Sequence, residues 1–265
     1  VARIIAVTNQ KGGVGKTTTS VNLAASLVAT KRKVLLIDCD PQGNATMGSG
    51  IDKHDLDGSM FDVLIDQSPV SQVRVKAYQG GYDVIGSNGD LTAAEVRLVT
   101  MIGREFRLKQ VLEAAKEQYD FIFIDCPPSL NMLTVNAMVA SDSVLIPMQC
   151  EYYALEGLSA LLDTINQIQQ TVNPKLEIEG VLRTMYDPRN RLALEVSSQL
   201  TSHFGEKVYR NVIPRNVRLA EAPSHGIPVL LYDKASRGAK SYLALAGEMI
   251  SRAEELNKQP EEAVL

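Results

Sequence analysis

At the junction of an apolar run, Ile4-Ile5-Ala6-Val7, and a helix-patterned segment, Thr17 to Ala29, stands Asn9-Gln10-Lys11-Gly12-Gly13-Val14-Gly15-Lys16-Thr17-Thr18. Few folds can use such a junction. Glycines at 12, 13 and 15 let the backbone turn its N–H groups inward, and the start of a helix adds a partial positive charge. Together they make a cradle for phosphate oxygens. In such a cradle Lys16 is placed to reach the β- and γ-phosphates of a nucleotide and the Thr17 hydroxyl to ligate magnesium.

The rest of the chain repeats the alternation of strand and helix. Strands are expected at Val34–Ile37, Tyr82–Ile85, Phe121–Ile124, Ser143–Pro147 and Ile178–Met185. Helices are expected at Phe106–Gln118, Leu155–Val172 and Lys240–Asn257. Short, near-continuous apolar strands alternating with helices predict an α/β fold, a mostly parallel twisted sheet covered by helices on both faces. No Pro/Gly/Ser-rich linker or internal repeat divides the sequence, so one domain over residues 1–258 is expected, followed by an acidic tail at 259–265 that frays.

Composition narrows the classes. No apolar run approaches the roughly 20 residues needed to span a bilayer, and Val1-Ala2-Arg3-Ile4-Ile5 enters a strand pattern directly, without the form of a signal peptide. A cytoplasmic protein is expected. Cys39, Cys126 and Cys150 show no C-x-x-C spacing, which argues against structural zinc and fits a reducing compartment. The net charge of −4 argues against uniform coating of nucleic acid, but leaves room for a local basic face.

The loop departs from the ordinary phosphate-loop pattern G-x-x-x-x-G-K-[ST] at one position: Gln10 replaces the first glycine, and a second lysine, Lys11, precedes the glycine pair. This K-G-G-x-G-K-T-T form resembles the deviant Walker A motif of the ParA/MinD group of ATPases. The resemblance implies that residues Lys11, Gly12, Gly13, Val14, Gly15, Lys16, Thr17 and Thr18 hold ATP with Mg2+. It implies also that Lys11 reaches the nucleotide of a second subunit, so that ATP is sandwiched in a homodimer.

Two acidic segments fit the same chemistry. Asp38 and Asp40 follow the second apolar strand, on the carboxyl edge where open α/β sheets bind ligands. Asp125 closes the run Phe121-Ile122-Phe123-Ile124, the Walker B form, where an acid holds magnesium directly or through water. By resemblance, Asp40 orients the attacking water and Asp38 lies near the metal, with Pro41-Gln42-Gly43-Asn44 and Asp125-Cys126-Pro127-Pro128-Ser129 as switch segments. The expected metal set is Thr17, Asp38 and Asp125; the expected catalytic set is Lys11, Lys16 and Asp40.

Within that group the chain looks like a chromosomal ParA, or Soj-type, protein. Its acidic, proline-broken C-terminus is unlike the basic amphipathic helix of MinD-like proteins, which anionic lipid attracts. The second cysteine of a nitrogenase iron protein is missing near Cys126. The chain begins at the first strand, so the N-terminal helix-turn-helix of plasmid-borne relatives is not expected.

Between Arg183 and Lys240 there are ten Lys/Arg against five Asp/Glu. A local basic patch suits phosphate contacts rather than base reading. The resemblance places DNA contacts at Arg189 and Arg218 and puts Pro214 and Asn216 near the adenine ring. It implies a weak ATPase of chromosome segregation that binds DNA non-specifically as an ATP dimer, associates with the nucleoid, and is released when a ParB-like partner stimulates hydrolysis. The alternatives are a ParA-like ATPase that positions a protein cargo, such as a chemoreceptor or flagellar cluster, and a metabolic P-loop enzyme.

Overall fold

The computed structural model describes residues 1–262, with side chains described through Glu255. Seven strands form one sheet: β1 (Arg3–Val7), β2 (Val34–Asp38), β3 (Arg74–Lys76), β4 (Asp83–Ile85), β5 (Phe121–Asp125), β6 (Ser143–Gln149) and β7 (Glu177–Thr184). Their order is β3-β4-β2-β5-β1-β6-β7, parallel throughout except for the antiparallel pair β3–β4. The expected fold class is the observed one.

Alternation along the central strands explains why both faces are covered. Ile4, Ala6, Leu35, Ile37, Ile122 and Ile124 pack on one face against the helices Met60–Asp66, Leu91–Leu98 and Met132–Ala140. Ile5, Val7, Leu36, Phe121 and Phe123 point the other way, onto the helices Lys16–Ala29 and Arg237–Glu262. A third cluster seals β6 and β7 beneath the helices Ala154–Thr171 and Arg191–Phe204. Burying both faces makes the strands continuously apolar, the pattern the sequence displays.

Some elements differ from expectation. The helix expected over Phe106–Gln118 is confined to Arg107–Glu113 with a 3-10 turn on either side. Part of the reason is that the Ala2 N–H, entering β1, takes the Lys116 carbonyl at 2.7 Å and holds it outside a helical register. The short edge strand β3 is not apparent in the apolar pattern, because its residues are exposed and two of its three are charged. Arg74 and Lys76 both pair with Asp83 of β4 at 3.1 Å, and such charges on an edge discourage pairing with another chain. The last helix starts three residues before the expected Lys240 and continues through Pro260 to Glu262. Of the expected tail at 259–265, residues 263–265 lie outside the described residues.

A buried ion pair ties β1 to β7. Arg3 Nε and Nη2 donate to Glu179 Oε2 at 2.8 and 2.5 Å, and Ser143 Oγ and Tyr209 OH donate to the same carboxylate. Glu179 is only 3% exposed. Replacing Arg3 by Met strands a buried carboxylate, and we expect a loss of about 3 kcal/mol of stability. Urea denaturation should show it as a lower midpoint with unchanged slope, partly restored by adding Glu179→Gln.

Two loops meet without side chains. A Cβ on Gly50 would stand 2.7 Å from the Gly226 carbonyl oxygen, and one on Gly226 would stand 2.9 Å from the Gly50 Cα. Both residues have positive φ, 78° and 64°. Only glycine satisfies the torsion and the distance together.

Candidate nucleotide site

The C-terminal ends of β1, β2 and β5 are neighbours, and Asp38 lies in register with Asp125. From β1 the chain runs into the glycine loop, whose Gly15 takes φ 90° at the N-cap of the helix Lys16–Ala29. Nothing lies within 4 Å of a Cβ built on Gly12 or Gly13, so the inner face of the loop is open. Three bonds hold it from behind: Asn9 Nδ2 donates to the Pro147 carbonyl (2.9 Å), Lys11 N–H to Asn9 Oδ1 (3.0 Å) and Thr184 Oγ1 to the Val14 carbonyl (2.7 Å).

The loop forms one end of a cavity of about 970 Å3. Asp40 to Gln42, Pro127 to Ser129 and Pro214 to Val217 line it as well. That volume suits a ligand of nucleotide size. Lys16 is nearly buried and its ammonium donates to the Lys11 carbonyl at 3.2 Å. Burial lowers its pKa, opposed by the charges of Asp125 and Asp40. A cation held this way is completed by an anionic ligand.

The two aspartates at the strand ends are fully buried, and neither lines the cavity. Asp125 accepts from Thr17 Oγ1 (2.7 Å) and Ser20 Oγ (2.8 Å). Asp38 accepts from the Thr46 N–H and hydroxyl (2.8 and 2.7 Å) and from the Asp40 N–H (3.1 Å). Burial raises both pKa values, Asp38 to about 6 and Asp125, with Asp38 beside it, to about 7. Such a pair favours a nearby cation. Thr17, which does line the cavity, stands between Asp125 and the open space, so a magnesium ion arriving on phosphates would find a hydroxyl backed by a carboxylate. No group of three or more His, Cys, Asp or Glu gathers for a metal among the described residues.

Of the other expected positions, Asp40 lines the cavity, with its carboxylate accepting the Gln42 N–H at 2.9 Å and no other donor among the described residues. Pro214 and Asn216 also line it, and Asn216 Oδ1 is buried with no hydrogen-bond partner among the described residues. Lys11 is separate from the rest. It does not line its own cavity; its half-exposed ammonium pairs with Glu151, just beyond β6.

Neither Arg189 nor Arg218 lines the nucleotide cavity, although Val217 and Leu219 on either side of Arg218 do, and the two arginines stand on adjoining segments. A bridge between Tyr186 and Pro214 lays the loop bearing Arg189 beside the stretch leading to Arg218. Arg183 does not belong to this surface. Its guanidinium donates to Ser197 Oγ and the Tyr209 carbonyl, a structural role that trims the basic excess counted from sequence. Sequence reasoning missed Ser20, Thr46, Thr184 and Glu151. Only Ser20 carried a signal, one helical turn beyond Lys16 and Thr17 on the same face.

The sheet order and the glycine loop at its carboxyl edge define a P-loop ATPase fold. Residues 2–178 match the family model described as an AAA domain. The chain is 56% identical over 247 residues to the sporulation initiation inhibitor protein Soj of Bacillus subtilis, covering 93% of this chain and 98% of that protein. It is 52% identical over 252 residues to the chromosome partitioning protein ParA of Caulobacter vibrioides, 94% of each. The crystal structure of a cobyrinic acid a,c-diamide synthase from Mycobacterium smegmatis with bound ADP and magnesium superimposes with a TM-score of 0.84 at 35% identity, covering 96% of each chain. The chain therefore belongs to the ParA/Soj family of chromosome-partitioning ATPases. No helix among the described residues is long and apolar enough to cross a membrane.

Proposed function

We propose that this chain binds ATP with Mg2+, dimerises around it, holds DNA non-specifically in that state, and lets go on hydrolysis stimulated by a ParB-like partner. The observation that carries this reading is the division of labour between two lysines of one loop. Lys16 faces into the cavity, whereas Lys11 sits outside it with its ammonium on Glu151. A lysine beside a phosphate loop but turned from its own cavity is available to a neighbouring subunit. Magnesium would supply charge neutralisation across the phosphates, held through Thr17 and Asp125 with Asp38 behind them. Asp40, which lines the cavity together with Glu95 and follows the strand that ends at Asp38, is assigned to the attacking water. Pro214 and Asn216 are assigned to the base.

Retention of the protein on unrelated DNA duplexes, measured with ATP, ADP and no nucleotide, tests the whole. ATP-dependent, sequence-blind retention is expected; retention indifferent to nucleotide would overturn the switch. A second reading, a metabolic enzyme that uses ATP on a small acid, is favoured by the likeness to the Mycobacterium smegmatis synthase. The higher identity to Soj and ParA weighs against it. Product formation from cobyrinic acid, with no DNA retention, would reverse the choice.

Arg189 and Arg218 are the assigned phosphate contacts. Replacing both with Glu should weaken retention equally on all sequences while leaving ATP affinity unchanged. The slope of log K against log salt should fall by about 2 for each protomer. An unchanged slope would place the DNA surface elsewhere.

A further inference from the structure

Both arginines assigned to DNA already hold carboxylates. Arg189 grips Asp187 with two parallel bonds, Nε to Oδ1 at 3.0 Å and Nη2 to Oδ2 at 2.9 Å, although it is 88% exposed. The pairing holds the Asp187 carboxyl down at about 2. Arg218 is gripped from two sides, by Glu221 at 2.8 Å and by Asp233 at 3.3 Å. Tyr232 OH donates to the same Glu221 oxygen at 3.1 Å and fixes it in place. On the same stretch Arg191 and Lys207 also pair, with Glu195 at 3.1 Å and Glu177 at 4.0 Å, whereas Arg215 and Lys240 have no carboxylate within 4.0 Å among the described residues. The paired planar geometry at Arg189 is what a guanidinium would offer to a phosphate.

We infer that Asp187, Glu221 and Asp233 mask the DNA surface, occupying as internal phosphate mimics the two arginines that DNA must use. Binding is then an exchange of intramolecular carboxylates for backbone phosphates. Each acid acts twice, by occupying the guanidinium and by repelling an incoming phosphate. Exposed pairs are individually weak, so the mask sets a threshold and does not lock the surface. One protomer, with two contacts, gains too little from the exchange. Two protomers on one duplex double the contacts, and polyanion affinity rises steeply with their number. The mask thereby makes DNA binding depend on dimerisation without any change of shape in the protomer. This inference rests on the reading of Arg189 and Arg218 as phosphate contacts.

The test uses the full chain and a labelled duplex of arbitrary sequence, with ADP or no nucleotide. The triple variant Asp187→Asn, Glu221→Gln, Asp233→Asn removes the masking charges and keeps the oxygen acceptors. It should bind on the order of tenfold tighter than the parent, each freed pair contributing a few-fold. A charge-matched control, Asp66→Asn with Glu113→Gln and Glu117→Gln, alters exposed acids elsewhere and should stay within about twofold of the parent. The gain should vanish when Arg189→Glu and Arg218→Glu are added to the triple variant. A triple variant no tighter than the control, in a protein that still binds DNA with ATP through these arginines, overturns the mask alone. A gain that survives the arginine changes also overturns it. A parent that binds DNA in no nucleotide state defeats the DNA reading and the mask together.

Discussion

Lys16→Ala should leave the chain folded and raise its dissociation constant for ATP by about a thousandfold, some 4 kcal/mol. The size follows from where the ammonium sits. It is 7% exposed, it is bonded only to a carbonyl of its own loop, and burial already disfavours its charge. Phosphate oxygens would take up that charge in a site shielded from water, and nothing else in the loop replaces it. Lys11 cannot do so within one protomer, because it is turned to Glu151. Folding should survive, since alanine is a good residue at the start of a helix and the loop is held by Asn9 and Thr184 rather than by Lys16. Calorimetry with ATP reads the loss, and circular dichroism checks the fold. Affinity within tenfold of the parent would remove Lys16 from the phosphate site.

Asp40→Ala should have a different signature. Turnover should fall by about 10²- to 10⁴-fold, as for loss of a group that positions or deprotonates a nucleophile, while ATP remains bound and the dimer accumulates. The backbone around Asp40 does not rely on its carboxylate. Its N–H donates to Asp38, its carbonyl accepts from the Ser87 hydroxyl and the Gly43 N–H, and the side chain contributes a single bond to Gln42. Phosphate release and size-exclusion chromatography with ATP test it together. Normal turnover, or a monomer in ATP, would rule Asp40 out. The neighbouring Asp38→Ala is not an equivalent experiment, because it would release Thr46 and leave buried donors without partners.

The phosphate loop and the strand ending at Asp125 were legible because their chemistry and their fold position are contiguous in sequence. A run of apolar residues closed by an acid means the same thing locally and globally. The roles around Asp38 were less legible. Its sequence neighbourhood suggests a site-facing acid, yet Thr46, eight positions on, turns its carboxylate into an anchor for the following loop. Lys11 could be singled out, but its partner Glu151 lies 140 positions away, and no local pattern predicts that pairing. The same holds for Arg218, whose partner Asp233 arrives only when the Val229–Tyr232 turn folds back beside it. The helices Met132–Ala140 and Arg191–Phe204 did carry a local sign, an asparagine N-cap at Asn131 and Asn190 whose side chain accepts two backbone N–H groups. The edge strand β3 carried none, because its place in the sheet is set by Asp83 across the pair.

The seam between Gly50 and Gly226 joins two regions that also share the core cluster of Ala45, Leu219 and Ala222. Gly50 closes the helix Asn44–Gly48, which begins four residues after Asp40, and Gly226 closes the turn that follows Arg218 and Glu221. Most contacts between loops contain side chains, which can change rotamer and absorb a small displacement. This one is backbone against backbone and has no such slack. A shift of the Asp40 loop toward the seam must be passed on as a shift of the Gly226 turn, or be resisted by it. The place where water would be aimed at phosphate and the place where arginine would release its acid thus share one unyielding point of reference.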